Sequence, residues 1–445
     1  MSLLKSLPAA LFSVGMLGVA LPAHADEIAD LKAAVQQLQA VVAQLKAQRS
    51  APAATAAVPA GAIVVTAAPV PQPLGRNAGA ALTPVQNVMS LKMGANSFTF
   101  YGDADQFFNT MRANGKTINA VNDGALLKSR VGLVWNHDAG EGYKLTAQLE
   151  QALNFQNGNN TDTSRLFDRQ AWAGLSTPYG EIRVGRQNTA ILYIGNYVDY
   201  TERTMGSVVN DFGVPSRFDG DIAYIAPRIG GLQFQIHDAV GASNQTLVAG
   251  QSADQSLMYG NVAQIALDYL NGPWRVGYAG IRGRSTVGAG DVYYHDVYGN
   301  YDYGRGTIYA NFVRSNNEGG PLPGAGGSVV GGNSNLAVKQ PSDYYDIYQL
   351  SADYRVSPTL RVGALYGWIR NSTNSSKDAT GASIGAYWDA ITNLTLYGLV
   401  DELKNSSQAS FGFADSAGSP YKNFVASDLM GQNVTGVQLG ALYRF

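Results

Sequence analysis

The chain has 445 residues, of which 45 % are hydrophobic and only 14 % charged, with a formal net charge of −2. That balance leaves no basic footprint for nucleic acid. The absence of cysteine excludes disulfides, thiolate metal sites and a lipid-anchored N-terminal cysteine.

The first 25 residues, "MSLLKSLPAALFSVGMLGVALPAHA", join an early Lys5 to an apolar core from Leu7 to Leu21 and the small-x-small triplet Ala23-His24-Ala25. This is the pattern of a secretory signal peptide cleaved after Ala25. The apolar run is too short for a comfortable membrane helix, and no later stretch approaches roughly 20 apolar residues. Any membrane would have to be crossed by strands.

Residues 26–48 read as a short helix. Ile28, Val35 and Val42 fall at heptad position a and Leu31, Leu38 and Leu45 at d, with Glu27 at g and Lys32 at the next e. A seam of β-branched residues at a and leucine at d suits a parallel coiled coil joining protomers. Residues 49–90 turn rich in Ala, Pro and Val, with prolines at 52, 59, 69, 71 and 73. Such a composition buries little, so the segment is expected to be an extended, mobile linker.

From about residue 91 to 445 one theme repeats: segments of about ten to thirteen residues alternate apolar with polar between turn residues. In "YKLTAQLEQAL", Tyr143, Leu145, Ala147 and Leu149 oppose Lys144, Thr146, Gln148 and Glu150. The last segment, "NVTGVQLGALYRF", sets Val437, Leu439, Ala441, Tyr443 and Phe445 against Gln438 and Arg444. Sixteen strands are expected, at 98–109, 127–137, 143–154, 165–176, 179–188, 217–227, 231–242, 260–270, 273–283, 291–303, 306–315, 343–356, 359–370, 379–389, 394–404 and 433–445. Their connections alternate between tight turns and long loops (189–216, 316–342, 405–432). The expected fold is all-β: a sixteen-stranded antiparallel transmembrane β-barrel, with short turns on one side and long loops on the other.

A soluble sandwich also alternates, but its strands run closer to five or six residues. Strands of about eleven residues tilted near 40° instead traverse an apolar band of about 25 Å. Tyr293, Tyr294, Tyr301, Tyr303, Tyr344, Tyr366, Trp368 and Trp388 gather near strand ends, where an aromatic girdle belongs. With sixteen strands the lumen is too wide for side chains to fill. The polar face would give it Lys128, Arg130, Lys144, Gln148, Glu150, Gln233, Gln235, Gln264, Asp268, Arg275, Asp353 and Arg361.

Catalytic and metal motifs are scarce. His137, His237 and His295 are scattered without HExxH spacing, and there is no Walker loop and no GxSxG elbow. "NGNNTDT" (157–163) reads as a polar loop rather than a calcium site.

The stretches "SRVGLVWNHDAGEGYKLTAQLEQALNFQNG" (129–158), "LFDRQAWAGLSTPYGEIRVGRQNT" (166–189) and "SRFDGDIAYIAPRIGGLQFQ" (216–235) closely resemble the Gram-negative general porins. The resemblance covers about Phe98 to Phe445, while the coiled coil and linker depart from most members. It implies a homotrimeric outer-membrane barrel passing small hydrophilic solutes and ions by passive diffusion, with no enzymatic activity and no cofactor. A substrate-selective porin for small organic acids or other anions is the alternative. Further implied partners are outer-membrane lipid, lipopolysaccharide and the barrel assembly machinery, which would read Tyr443 and Phe445 as an insertion signal. The coiled coil would lie in the periplasm.

In general porins the third long loop folds into the lumen and sets carboxylates against a wall of arginines. The matching positions here are Asp199, Glu202 and Asp211 on the loop, and Arg130, Arg169, Arg183 and Arg186 on the wall. Opposed charges would leave a transverse field in a narrow aqueous gap, orienting dipolar solutes.

Overall fold

The computed structural model describes residues 64–68, 88–160, 165–240, 258–285, 291–316, 344–414, 424 and 426–445. The signal peptide, the heptad residues Ile28, Leu31, Val35, Leu38, Val42 and Leu45, and most of the linker lie outside them. Nineteen strands form one antiparallel sheet: β1 (Val64–Ala68), β2 (Val88–Met93), β3 (Asn96–Ala113), β4 (Lys116–Asp123), β5 (Arg130–Gly140), β6 (Tyr143–Ala152), β7 (Gln170–Thr177), β8 (Gly180–Asn188), β9 (Arg217–Ile225), β10 (Leu232–Ala239), β11 (Met258–Asn271), β12 (Trp274–Ser285), β13 (Asp291–Asp302), β14 (Thr307–Ser315), β15 (Tyr345–Arg355), β16 (Leu360–Asn371), β17 (Ala379–Ile391), β18 (Leu394–Asn405) and β19 (Asn433–Arg444).

Sixteen of these close into a ring. β3 pairs with β5, each later strand pairs with the next, and β19 returns to β3 from Thr435 opposite Arg112 to Arg444 opposite Asp103. All sixteen expected segments are strands of this barrel. A closed ring leaves no row of unpaired backbone groups along its walls, which a strand-built membrane protein requires. The last step is made by Phe445, whose amide donates to the Gly102 carbonyl (2.9 Å) and whose carbonyl accepts from the Gly102 amide (2.7 Å). Its ring lies over Gly102, where a Cβ would stand 2.4 Å from the ring edge.

The faces are the reverse of a soluble protein's. Phe108, Ile182, Ile265, Val297, Leu350, Ile384, Val400 and Leu439 point outward and are exposed. Gln187, His237, Gln264, Asp296, Asp353, Asp401 and Gln438 point inward and are buried. In β19 this parity follows the sequence residue by residue, with Val437, Tyr443 and Phe445 outside and Gln438 and Arg444 inside. Eleven residues such as β15 span about 36 Å of strand, which at a tilt near 40° rises about 28 Å. Among the described residues, no helix is long and apolar enough to cross a membrane.

Three strands depart from expectation. β3 runs on beyond the stretch paired with β5 (Asn96–Asp103) to Ala113 and turns through Asn114 and Gly115, both at positive φ (49° and 71°), into β4. Asn-Gly is the favoured pair for a two-residue hairpin. Inside and at the edge of the segment read as linker, β1 and β2 pair with each other, and β2 continues along β3 from Met89 opposite Phe100. The β-branched run Val64-Val65-Thr66 supports a strand there despite the flanking prolines. Of the expected girdle aromatics, Tyr294 instead faces the lumen with Val292, Asp296 and Tyr298. Neighbours in a strand face opposite ways, so Tyr293 and Tyr294 cannot share one girdle. The segment expected to be a strand from 165 begins only at Gln170, leaving Arg165, Asp168 and Arg169 on a loop.

Candidate functional site

Residues 189–216 enter the barrel rather than lie over its rim. Thr189 caps a short helix, Ala190–Ile194, by accepting from the Leu192 amide (3.0 Å), and a 3-10 turn, Gly195–Tyr197, follows. Ser207 caps a second helix, Val208–Phe212, which ends where Gly213 takes φ 111°. Ala190, Ile191, Tyr200, Val209 and Phe212 are fully buried. The loop is fastened along one side of the wall. Gln264 of β11 accepts from the Ala190 amide (3.1 Å), Asn300 of β13 donates to the Tyr197 carbonyl (3.0 Å), and Ser351 of β15 accepts from the Tyr200 amide (3.1 Å). On the next two strands, Arg361 donates to the Tyr200 carbonyl (2.7 Å) and Ser383 to the Gly206 carbonyl (2.6 Å). Arg203 adds a buried ion pair to Asp296 of β13 (3.4 Å).

The opposite arc, β5 to β9, carries the charge. Arg130 meets Asp103 (2.9 Å) and Glu150 (3.7 Å), and Arg169 meets the other Glu150 oxygen (2.7 Å). Arg186 pairs with Asp219 (2.7 Å) and donates to the Asp168 carbonyl (2.5 Å), while Arg165 forks onto both Asp219 oxygens (2.7 Å each). Arg217 stands within electrostatic reach of Glu150 and Asp168. The result is one network of five guanidiniums interleaved with four carboxylates. Burial pushes the Asp168 carboxyl up, against the pull of Arg169, Arg217 and Arg186.

Of the wall residues named from sequence, Arg130, Arg169 and Arg186 therefore come together. Arg183 stands apart: its guanidinium lies 4.2 Å from the Trp172 ring centre and donates to Glu181 and to the loop's Tyr193 hydroxyl (2.8 Å each). The sequence reading missed Arg165, Arg217, Asp103, Asp168 and Asp219 as network members. Arg217 and Asp219 alternate in "SRFDGD" with the parity of β9, which was the available signal.

The loop carboxylates work differently from one another. Asp199 accepts from the Thr201 amide (2.8 Å) and hydroxyl (2.7 Å), the Arg203 amide (3.1 Å), the Ser207 hydroxyl (2.7 Å) and Gln349 (2.7 Å). It organises the loop's turn and ties it to β15. Asp211 accepts from the Ala414 amide (3.0 Å), and burial, with Asp401 nearby, pushes its carboxyl well above the ordinary range. Glu202, at φ 62°, sits within electrostatic reach of Arg361. Arg361 and Arg275 give the loop-bearing wall its own cations: Arg275 forks onto Asp268 (2.6 and 2.7 Å) and lies 3.2 Å from the Tyr197 ring centre. Tyr443 and Phe445 lie on the outer face, their rings stacked at 6.2 Å. Among the described residues, no group of three or more His, Asp or Glu could hold a metal ion.

A model of the Gram-negative porin family matches residues 53–408. An outer membrane porin protein of Bordetella pertussis is 34% identical over 196 residues, 41% of this chain and 46% of that protein. The major outer membrane protein P.IB of Neisseria meningitidis serogroup A is 29% identical over 156 residues, 33% of this chain and 46% of that protein. The chain thus spans about half the length of the curated relatives it matches. Among solved structures, the anion-selective porin from Comamonas acidovorans superposes with a TM-score of 0.63 at 21% identity, covering 79% of this chain and all of that one. Salmonella typhi OmpF, in complex with daunomycin, gives 0.56 at 18% identity over 80% of this chain and all of that one. These likenesses concern the fold.

Proposed function

The chain belongs to the Gram-negative porin family, and on that premise we propose that its barrel is a water-filled outer-membrane channel through which small hydrophilic solutes and ions diffuse down their gradients. The carrying observation is the inward loop, fastened to β11–β17 and standing across the lumen from the charged arc of β5–β9. Between them a solute would pass a narrow, water-lined gap under a transverse field. Arg130, Arg169 and Arg186 would line that gap. Arg183 would hold the loop's entry through Tyr193, Asp199 and Asp211 would brace the loop, and Glu202 would face Arg361. In this reading the protein works as a channel and catalyses nothing.

The outer apolar belt would face outer-membrane lipid and lipopolysaccharide, and Tyr443 and Phe445 would be read by the barrel assembly machinery. The protein would act as a homotrimer, with the heptads of residues 26–48 joining protomers on the periplasmic side. A second reading, selectivity for small organic acids or other anions, has one observation in its favour: the arginine network counts five guanidiniums against four carboxylates. Purified protein in a planar bilayer tests the channel. Stepwise, ohmic current increments are expected, with uptake of small but not large sugars in liposome swelling. A folded barrel that passes no current would refute it.

A further inference from the structure

The lumen face of β16 and β17 carries four glycines arranged as two cross-strand pairs. Gly363 stands opposite Gly385 and Gly367 opposite Gly381, with Leu365 opposite Ser383 between them. A glycine inside a strand forfeits packing and marks the close approach of another group. Here each pair receives one side chain of the inward loop. A Cβ on Gly363 would stand 2.1 Å from Cδ2 of Tyr200, and one on Gly385 would stand 3.1 Å from its hydroxyl. A Cβ on Gly367 would stand 3.1 Å from Cβ of Val208, and one on Gly381 would stand 2.6 Å from its Cγ2. Tyr200 is held there on all sides: its hydroxyl bonds Ser383 (3.0 Å), its ring meets the Tyr387 ring edge-on, and Arg361 holds its carbonyl.

We propose that the two glycine pairs are sockets for Tyr200 and Val208 that set how far the loop stands off the β16–β17 wall, and thereby the bore of the passage. This rests on the channel reading above. The wall is part of a closed hydrogen-bonded ring, whereas the loop is held at separate points, so a clash between them moves the loop. Ordinary carbon contacts need about 3.5–4.0 Å, so an alanine at position 363 would push the Tyr200 ring back by about 1.5 Å. In ring order β16–β17 lies across the lumen from β8–β9, so that retreat narrows the gap towards the arginines.

Gly363→Ala is the cleanest probe, because the three atoms nearest its Cβ all belong to Tyr200. Gly299→Ala controls for the cost of alanine in a strand, since its Cβ would meet nothing closer than 3.6 Å. Full-length wild type, Gly363→Ala, Tyr200→Ala, the Gly363→Ala/Tyr200→Ala double variant and the control are compared by single-channel conductance and by sugar exclusion. The expected result is a loss of conductance and a smaller exclusion limit in Gly363→Ala, none in the control, and no further effect of Gly363→Ala once Tyr200 is gone. A Gly363→Ala barrel with wild-type conductance, or effects that simply add in the double variant, would overturn the sockets. If Gly363→Ala fails to assemble, recovery of a heat-modifiable barrel in the double variant supports the proposal and continued failure overturns it. A wild-type barrel that conducts nothing sinks the channel reading and the bore with it; a conducting wild type with an unaffected Gly363→Ala sinks the sockets alone.

Discussion

Replacing Arg130, Arg169 and Arg186 with glutamine turns the wall network from an excess of one positive charge to an excess of two negative charges. Three charges removed at a stand-off of about 8 Å from a passing ion change its energy by about 1.6 kcal/mol in water, and screening at about 0.15 M salt leaves about 0.6 kcal/mol. That is close to RT, so cations are enriched and anions depleted by about 2.7-fold each. The cation-to-anion permeability ratio then rises about sevenfold, which moves the reversal potential in a tenfold KCl gradient by about 40 mV, where an ideally cation-selective channel would sit near 59 mV. The assay is a planar bilayer with asymmetric KCl, and heat-modifiability on gels first checks that the barrel survives removal of both arginines paired with Glu150. At about 1 M salt the Debye length falls to roughly 3 Å and the shift should collapse. A folded triple variant that keeps the wild-type reversal potential at low salt would show that these arginines do not face the permeating ion.

Removing Tyr443 to Phe445 deletes the Gly102 pairing and the ring covering Gly102, so exported protein should accumulate unassembled in the periplasm; a normal heat-modifiable barrel in the outer membrane would contradict this. Exchanging Leu31, Leu38 and Val42 for charged residues should lower the melting temperature of the proposed trimer while each barrel still conducts; an unaltered melting temperature would assign the stability of that assembly to the barrels alone. For Asp211, burial raises the carboxyl above its unfolded value, so the seated loop binds more protons than the free one, and seating weakens as pH rises from about 4 through the raised value. Open-channel noise should therefore grow across that range in wild type and stay flat in Asp211→Asn, and identical pH profiles would remove Asp211 from the loop's anchorage.

The barrel was legible because each wall has one polar and one apolar face, so a period of two survives even where strand ends are uncertain. β4 was not, because its outward residues Thr117 and Asn119 are polar and interrupt the alternation, although the Asn114-Gly115 pair announces a hairpin by itself. The arginine cluster was legible in part: parity places Arg130 in the lumen, but Arg165, Asp168 and Arg169 sit on a loop, where period carries no direction. The same limit hides what Asp199 does, since its five hydrogen bonds reach Ser207 eight residues on and Gln349 on another strand. The glycine sockets needed register. Gly363, Gly367, Gly381 and Gly385 are visible at four-residue spacing, yet only the pairing of β16 with β17 makes them opposite.

Fourteen of the barrel's sixteen seams join strands that follow one another along the chain, a fifteenth, β3 with β5, skips only β4, and one, β19 with β3, joins segments more than 300 residues apart. Local hairpins can form early and cheaply, but bringing these two edges together costs roughly 5 kcal/mol of chain entropy, recovered only as the ten-residue register from Asp103 to Arg112 zips against Thr435 to Arg444. Until that moment the molecule is an open sheet with two sticky margins, the state most prone to pairing with a neighbour's edge. Assembly should thus be limited by a single late event whose rate falls with any change that loosens either margin. Lengthening a surface loop elsewhere, which each doubling penalises by only about 0.6 kcal/mol, should leave that rate nearly untouched.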